Sequence, residues 1–140
     1  MPETKRQRVP SIRISVEIPV PPAQVFKAMT DARQVARWSG QGARIGKRPG
    51  GAFKMFDGWA TGRIVAYRPP SRFAYTWRVD GWKPDWDDSL VEWRLTPSPR
   101  GTRLALIHSK LPTVKEARDH KGGWPEFVLE PLGKYLKERV

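Results

Sequence analysis

From Ser11 the chain alternates apolar and polar residues, with Ile12, Ile14, Val16 and Ile18 in one phase and Arg13, Ser15 and Glu17 in the other. A period of two predicts a half-buried strand. Pro19, Pro21 and Pro22 end it, and the last two suit the entry to a short helix carrying Val25, Phe26 and Met29. Thr30 or Asp31 then caps a second helix that holds Val35 and Trp38 and stops before Gly40. From Gly42 to about Ser109 the pattern is strands and turns. The strongest local signal is Asp57-Gly58 between two apolar segments, the favoured pair for a two-residue hairpin turn because both positions want positive φ. The next strands are SRFAYTWRV, SLVEWRL and RLALIHS, joined by DGWKPDWDD and TPSPRGT. The segment LPTVKEARDHKGG bridges to a closing helix within HKGGWPEFVLEPLGKYL, where Trp124, Phe127, Val128, Leu132 and Leu136 recur at helical spacing.

The turn fixes faces. Across Asp57-Gly58, Phe56 opposes Trp59, Met55 opposes Ala60 and Phe53 opposes Gly62. One face then holds Phe53, Met55, Ala60, Gly62, Ile64 and Ala66, without charge. The other holds Phe56, Trp59, Thr61, Arg63, Val65 and Tyr67. Phe73, Tyr75, Trp77 and Val79 continue the apolar face, as do Val91, Trp93 and Leu95, then Leu104, Leu106 and His108. A sheet with one apolar face needs a cover, and only the closing helix, at about 15 residues or ~22 Å, is long enough. Pro131 within that helix removes an N–H and predicts a bend. The class is α+β: strand, two helices, a meander of about six strands, one long helix, with about seven strands in the sheet.

Composition narrows the function classes. The 140 residues carry no cysteine, which excludes disulfides, thiol catalysis and Cys-based metal sites. No run approaches the ~18 apolar residues of a membrane span, and no apolar signal core follows the basic start, which predicts a cytoplasmic protein. Residues 1–9 are expected to be a disordered basic arm and residues 10–140 a single domain. The net charge of +12 comes from 26 Lys and Arg against 14 Asp and Glu, scattered rather than blocked. Arg13, Arg63, Arg72, Arg78, Arg94 and Arg103 all fall in the outward phase, with Glu17 and Glu92 opposing. That convex face is a candidate surface for an anionic partner, or a solvated strand face. Phe56 and Trp59 in the outward phase leave monomer and homodimer both open.

Several segments in order carry a family resemblance: the first strand into VPPAQVFKAMTD, then ARWSG, PGGAF, GWATGRIVAYRPPSRFAYTW, GTRLALIHSKLP and the closing HKGGWPEFVLEPLGKYL. Over about residues 11–138 the chain resembles the activator of Hsp90 ATPase homologue 1-like family of the START/Bet v 1-like (SRPBCC) superfamily. The resemblance implies a helix-grip fold, a curved antiparallel sheet wrapped around a long C-terminal helix. Relatives of that superfamily include lipid and hormone binders, aromatase/cyclases and a co-chaperone domain, so fold alone does not assign activity.

The concave face is the candidate site for an apolar or aromatic small molecule. Its expected lining is Trp38, Phe53, Met55, Ala60, Gly62 and Ile64, then Phe73, Tyr75, Trp77, Trp93, Leu106 and His108. Trp124, Phe127, Val128 and Pro131 come from the helix. Ala60, Gly62 and Ala66 leave room, and Tyr75, the tryptophans and His108 give a few orienting polar atoms. The alternative is that Trp38, Trp77, Trp93 and Trp124 fill the same space to core density. His108 has no acidic partner in its phase, so it is expected to be a core or pocket histidine rather than a base, and His120 is expected in a solvated loop. Asp80, Asp85, Asp87 and Asp88 lack the glycine and glutamate of a calcium loop. Trp82 and Trp86 beside them are either a lid or packed anchors. No catalytic set, metal site or cofactor motif is present in the sequence. The favoured function is binding of a hydrophobic small molecule. The alternatives are a co-chaperone-like interaction domain and a polyketide cyclase-like enzyme. A domain of this size is expected to lack the further N-terminal module of an Hsp90 activator.

Overall fold

The structure, a computed structural model, describes residues 8–138. The expectation for the arm at residues 1–9 therefore lies mostly outside the described residues, although Val9 is half-buried against the core. Strand β1 is Ile12–Ile18, and two helices follow, α1 (Pro22–Thr30) and α2 (Ala32–Ser39). Pro22 opens α1 where its missing N–H costs nothing. The Asp31 carboxylate accepts the Arg33 N–H to cap α2, and Gly40 closes it at φ 77°. Six strands then run β2 (Arg44–Ile45), β3 (Ala52–Met55), β4 (Ala60–Arg68), β5 (Arg72–Val79), β6 (Ser89–Ser98) and β7 (Gly101–Ser109). All pairings are antiparallel, in the order β1-β7-β6-β5-β4-β3-β2. This is the α+β helix-grip arrangement, with seven strands and a long C-terminal helix across the concave face.

Register bears out most of the alternation. Phe53 pairs with Gly62 and Met55 with Ala60. Phe73 pairs with Trp93, and Trp93 with Leu106, so one layer of large apolar residues crosses three strands. Two local features break the period. At the hairpin tip Phe56, Asp57 and Gly58 all take positive φ, at 55°, 57° and 88°. The turn thus includes Phe56 as well as the expected pair, and alternation cannot be carried through it. In β4 the register shifts between Ile64 and Ala66, so Ala66 pairs with Ala74 in the outward phase and Tyr67 pairs with Phe73. The expected positions of Ala66 and Tyr67 are thereby exchanged: the Tyr67 ring meets Phe26 and Phe73 edge-on.

The closing helix differs most from expectation. It begins at Val114 and not near Trp124: α3 is Val114–Trp124, a π-helical turn follows at Pro125–Leu129, and α4 is Glu130–Glu138. The start is written in Thr113-Val-Lys-Glu116, a threonine with glutamate three residues on. Thr113 Oγ1 accepts the Glu116 N–H at 3.0 Å. Within the π turn the Glu130 N–H reaches the Pro125 carbonyl, five residues back. Pro125 and Pro131 each lack an N–H, so a uniform α ladder could not persist through this stretch. The wider turn lets the helix continue over the curved sheet.

Candidate functional site

The middle of the grip is nearly solid. The space enclosed by Trp38, Phe53, Met55, Phe73, Tyr75, Trp93, Trp124 and Val128, with Met29, Val35 and Ile45, is about 20 Å³. That is little more than the room one water needs, roughly 10–15 Å³. Ring packing accounts for it. Phe53 and Tyr75 stack with centroids 3.8 Å apart, and Trp93 meets Trp124 edge-on at 5.6 Å. The Trp93 indole donates to the Tyr75 hydroxyl, and burial pushes that phenol far above its ordinary range.

Small residues do not create the expected hollow. A Cβ on Gly62 would lie 1.8 Å from the carbonyl oxygen of Thr76 on the neighbouring strand. The glycine is there for backbone approach, so the expectation that it leaves space for a guest gives way. Ala60, Ile64, Leu106 and His108 are fully buried. None of these lines a cavity, and neither does Pro131.

A larger space opens at one end of the sheet, between the β3–β4 tip and α3. It measures about 450 Å³ and is walled by Phe56, Trp59, Trp77, Trp124 and Phe127, with Val79, Val128 and Gly123. Gln41, Asp80, Glu116, Asp119 and His120 complete it. Of the residues expected on the concave face, Trp77, Trp124, Phe127 and Val128 are brought together here. Phe56 and Trp59, expected on the convex side, instead fold over the mouth because of the left-handed run at the tip. Trp59 lies parallel to the His120 ring at 6.4 Å and edge-on to Trp77 at 6.2 Å. The apolar pair expected on the convex side thus stands at this opening. Trp59 and Phe127 remain 42% and 57% exposed on opposite sides of the opening.

A chain of buried hydrogen bonds holds the wall between end pocket and centre. Ser89 Oγ donates to the Trp77 carbonyl at 2.8 Å, so it accepts from His108 Nε2 at 2.8 Å. His108 Nδ1 accepts the Trp124 indole N–H at 3.0 Å. These partners fix a neutral, Nε2-protonated ring. Burial, and then the nearby His120, lower the His108 pKa to about 3. His120, expected in a solvated loop, is on α3 and only 9% exposed. Its Nε2 accepts the Trp77 indole N–H at 3.1 Å and its Nδ1 meets the Glu116 carbonyl at 2.9 Å. Both nitrogens of both histidines are engaged, so neither ring offers a lone pair to a substrate in this arrangement. The missed signal for His120 is the Thr113–Glu116 cap, which starts a helix that carries His120 inward with Ala117 and Trp124.

The aspartate-rich loop supplies anchors. Trp82 is buried and donates to Glu116 Oε1 at 2.9 Å. Arg78 ties the loop down through Asp88 at 2.7 Å and the carbonyls of Lys83 and Trp86. The other outward arginines hold their predicted phase but are partly compensated. Glu92 takes both Arg72 and Arg94, at 2.7 and 2.9 Å, Arg103 stands 4.0 Å from Glu17, and Arg63 donates to the Gly50 carbonyl. Among the described residues no helix is long and apolar enough to cross a membrane.

Against known proteins, residues 19–137 match the family described as activator of Hsp90 ATPase homolog 1-like protein. The chain belongs to this family. The mouse activator of 90 kDa heat shock protein ATPase homolog 2 is 28% identical over 114 residues, 81% of this chain. The chain spans about a third of the length of the curated relatives it matches, 34% in the mouse case. Among solved structures, PFC0360w from Plasmodium falciparum, described as an HSP90 activator, superposes with a TM-score of 0.81 at 29% identity, covering 91% of this chain and 96% of that one. MLL2253 from Mesorhizobium loti gives a TM-score of 0.82 at 25% identity, with 94% and 99% covered. For this family member the helix-grip architecture is thus shared with its relatives, whereas the plugged centre and the aromatic end pocket are described from its own residues.

Proposed function

We propose that this protein binds an apolar or aromatic small molecule in the end pocket, not in the centre of the grip. The contrast between about 450 Å³ at the end and about 20 Å³ in the middle carries this reading. Ligand pockets typically range from roughly 300 to 1,000 Å³, with mostly apolar walls and a few convergent polar groups. Two of the exposed large apolar side chains, Trp59 and Phe127, flank this opening, as expected of a surface that another molecule covers.

Gly123 offers the test. It lines the pocket from α3, and a Cβ there meets nothing nearer than Phe127 at 3.8 Å. The wild-type protein is expected to bind the neutral probe N-phenyl-1-naphthylamine saturably, with quenching of tryptophan fluorescence. Gly123→Leu fills the space from a helical position that tolerates it, and should weaken binding roughly tenfold or more with little change in melting temperature. Equal binding by the variant removes the pocket from the account.

A second reading is favoured by one observation. PFC0360w, described as an HSP90 activator, is covered over 96% of its crystallised chain by a domain of this size. On this reading the protein stimulates Hsp90 ATPase turnover. Adding it in molar excess to a purified Hsp90 should raise the ATPase rate; an unchanged rate leaves small-molecule binding as the sole reading.

A further inference from the structure

We infer that the end pocket takes a cation: an amine or quaternary ammonium group carried on an aromatic or apolar body. The inference rests on the pocket reading above and names the class of ligand. It begins from charge. Cationic side chains outnumber carboxylates 26 to 14 along the chain. The pocket reverses that ratio, since Asp80, Glu116 and Asp119 line it and no lysine or arginine does. Lys115 pairs with Asp119 at 2.8 Å from outside the lining, which leaves Asp80 and Glu116 as the carboxylates a guest would meet.

Most indole donors in and behind the wall are already engaged. The indole N–H groups of Trp77, Trp124 and Trp82 are given to His120, His108 and Glu116. Both His120 nitrogens are engaged as well. An anion entering here would lose its hydration and meet carboxylates and ring faces, with only the Gln41 amide and the Trp59 indole N–H as side chains able to donate. A cation would meet the opposite situation. Trp59, Trp77, Trp124, Phe56 and Phe127 present aromatic surface, whose faces attract positive charge most strongly in tryptophan. Glu116 remains an acceptor with one oxygen already fixed by Trp82, so its position is set before binding.

Three naphthalene compounds of nearly one size separate the possibilities: 2-naphthylmethylammonium, 2-naphthylmethanol and 2-naphthoate, titrated by calorimetry and tryptophan quenching at neutral pH. The cation is expected to bind about tenfold tighter than the alcohol, and the carboxylate weakest of the three, against the overall positive charge of the protein. Asp80→Asn combined with Glu116→Gln should abolish the cation's advantage and leave the alcohol unchanged. Glutamine keeps the acceptor for Trp82, and if the double variant does not fold, Asp80→Asn alone should reduce the advantage. Equal affinity for all three, or preference for the carboxylate, with binding still lost in Gly123→Leu, overturns the charge inference and leaves the pocket. Absence of binding by all three overturns both.

Discussion

Gly62→Ala is expected to destabilise the protein by about 3 kcal/mol or more, the upper range for forcing atoms into a packed interior. The added methyl would stand 1.8 Å from the Thr76 carbonyl oxygen and 2.6 Å from its carbon. Backbone atoms in the middle of a sheet cannot step aside as a flexible side chain does. The strands are already drawn together here in an unusual way. The Arg63 N–H bonds to the Thr76 side-chain hydroxyl at 2.9 Å. Regular pairing between β4 and β5 resumes at Ile64 and Tyr75. Denaturant unfolding of Gly62→Ala beside Gly123→Ala measures the effect. The second substitution, in an open helical position, should be neutral or stabilising by up to about 1 kcal/mol. A loss below about 1 kcal/mol at Gly62 would mean that β4 and β5 can separate locally at small cost.

Acid should weaken the fold through His108. Its folded pKa lies near 3 against an ordinary 6.5, because burial disfavours the charged ring and His120 adds a smaller repulsion. Between those values the unfolded chain binds a proton that the folded one does not, so stability rises with pH across the window. The contribution is fully present above about pH 6.5 and falls by about 1.4 kcal/mol per pH unit on acidification. By pH 4.5 this amounts to roughly 2.7 kcal/mol. Geometry gives the same sign, since protonating Nδ1 would set two donors, the ring and the Trp124 indole, against each other. His108→Gln can accept from Trp124 and donate to Ser89 without titrating. Its unfolding free energy should show a shallower slope than wild type between pH 6.5 and 4.5. Parallel slopes would place the acid sensitivity elsewhere.

The sequence made the architecture legible wherever strand alternation runs without interruption. β5, β6 and β7 hold their apolar phase from end to end, which fixes the concave face and the layer through Phe73, Trp93 and Leu106. Alternation fails where the backbone departs from extended geometry, at the left-handed tip and at the bulge after Ile64. A period-two argument cannot see either, and the first of them moves Phe56 and Trp59 from the back of the sheet to the mouth of the pocket. The helix start was present as Thr113 and Glu116, a local signal outweighed by the apparent polarity of VKEARDHKGG. The pocket was less accessible in principle. Whether indoles fill a cavity depends on their rotamers, and those of Trp77 and Trp124 are set by histidines 43 and 16 residues distant. Residue type fixed the wall's chemistry, and long-range hydrogen bonds fixed where the wall stands.

The wide turn at Pro125–Leu129 bears on how this family member can change length. Inward-facing residues of the closing helix recur at Ala117, His120, Trp124, Val128, Leu132 and Leu136, mostly every fourth position. A uniform α-helix advances about 100° per residue, so steps of four drift steadily around the axis. The additional residue held in the π turn offsets that drift. A one-residue deletion in α3, upstream of this turn, would rotate everything downstream by about 100° and turn Leu132 and Leu136 off the sheet, whereas one within the turn removes the additional residue itself and preserves that phase. The chain is therefore expected to tolerate loss of one residue better at the π turn than in α3.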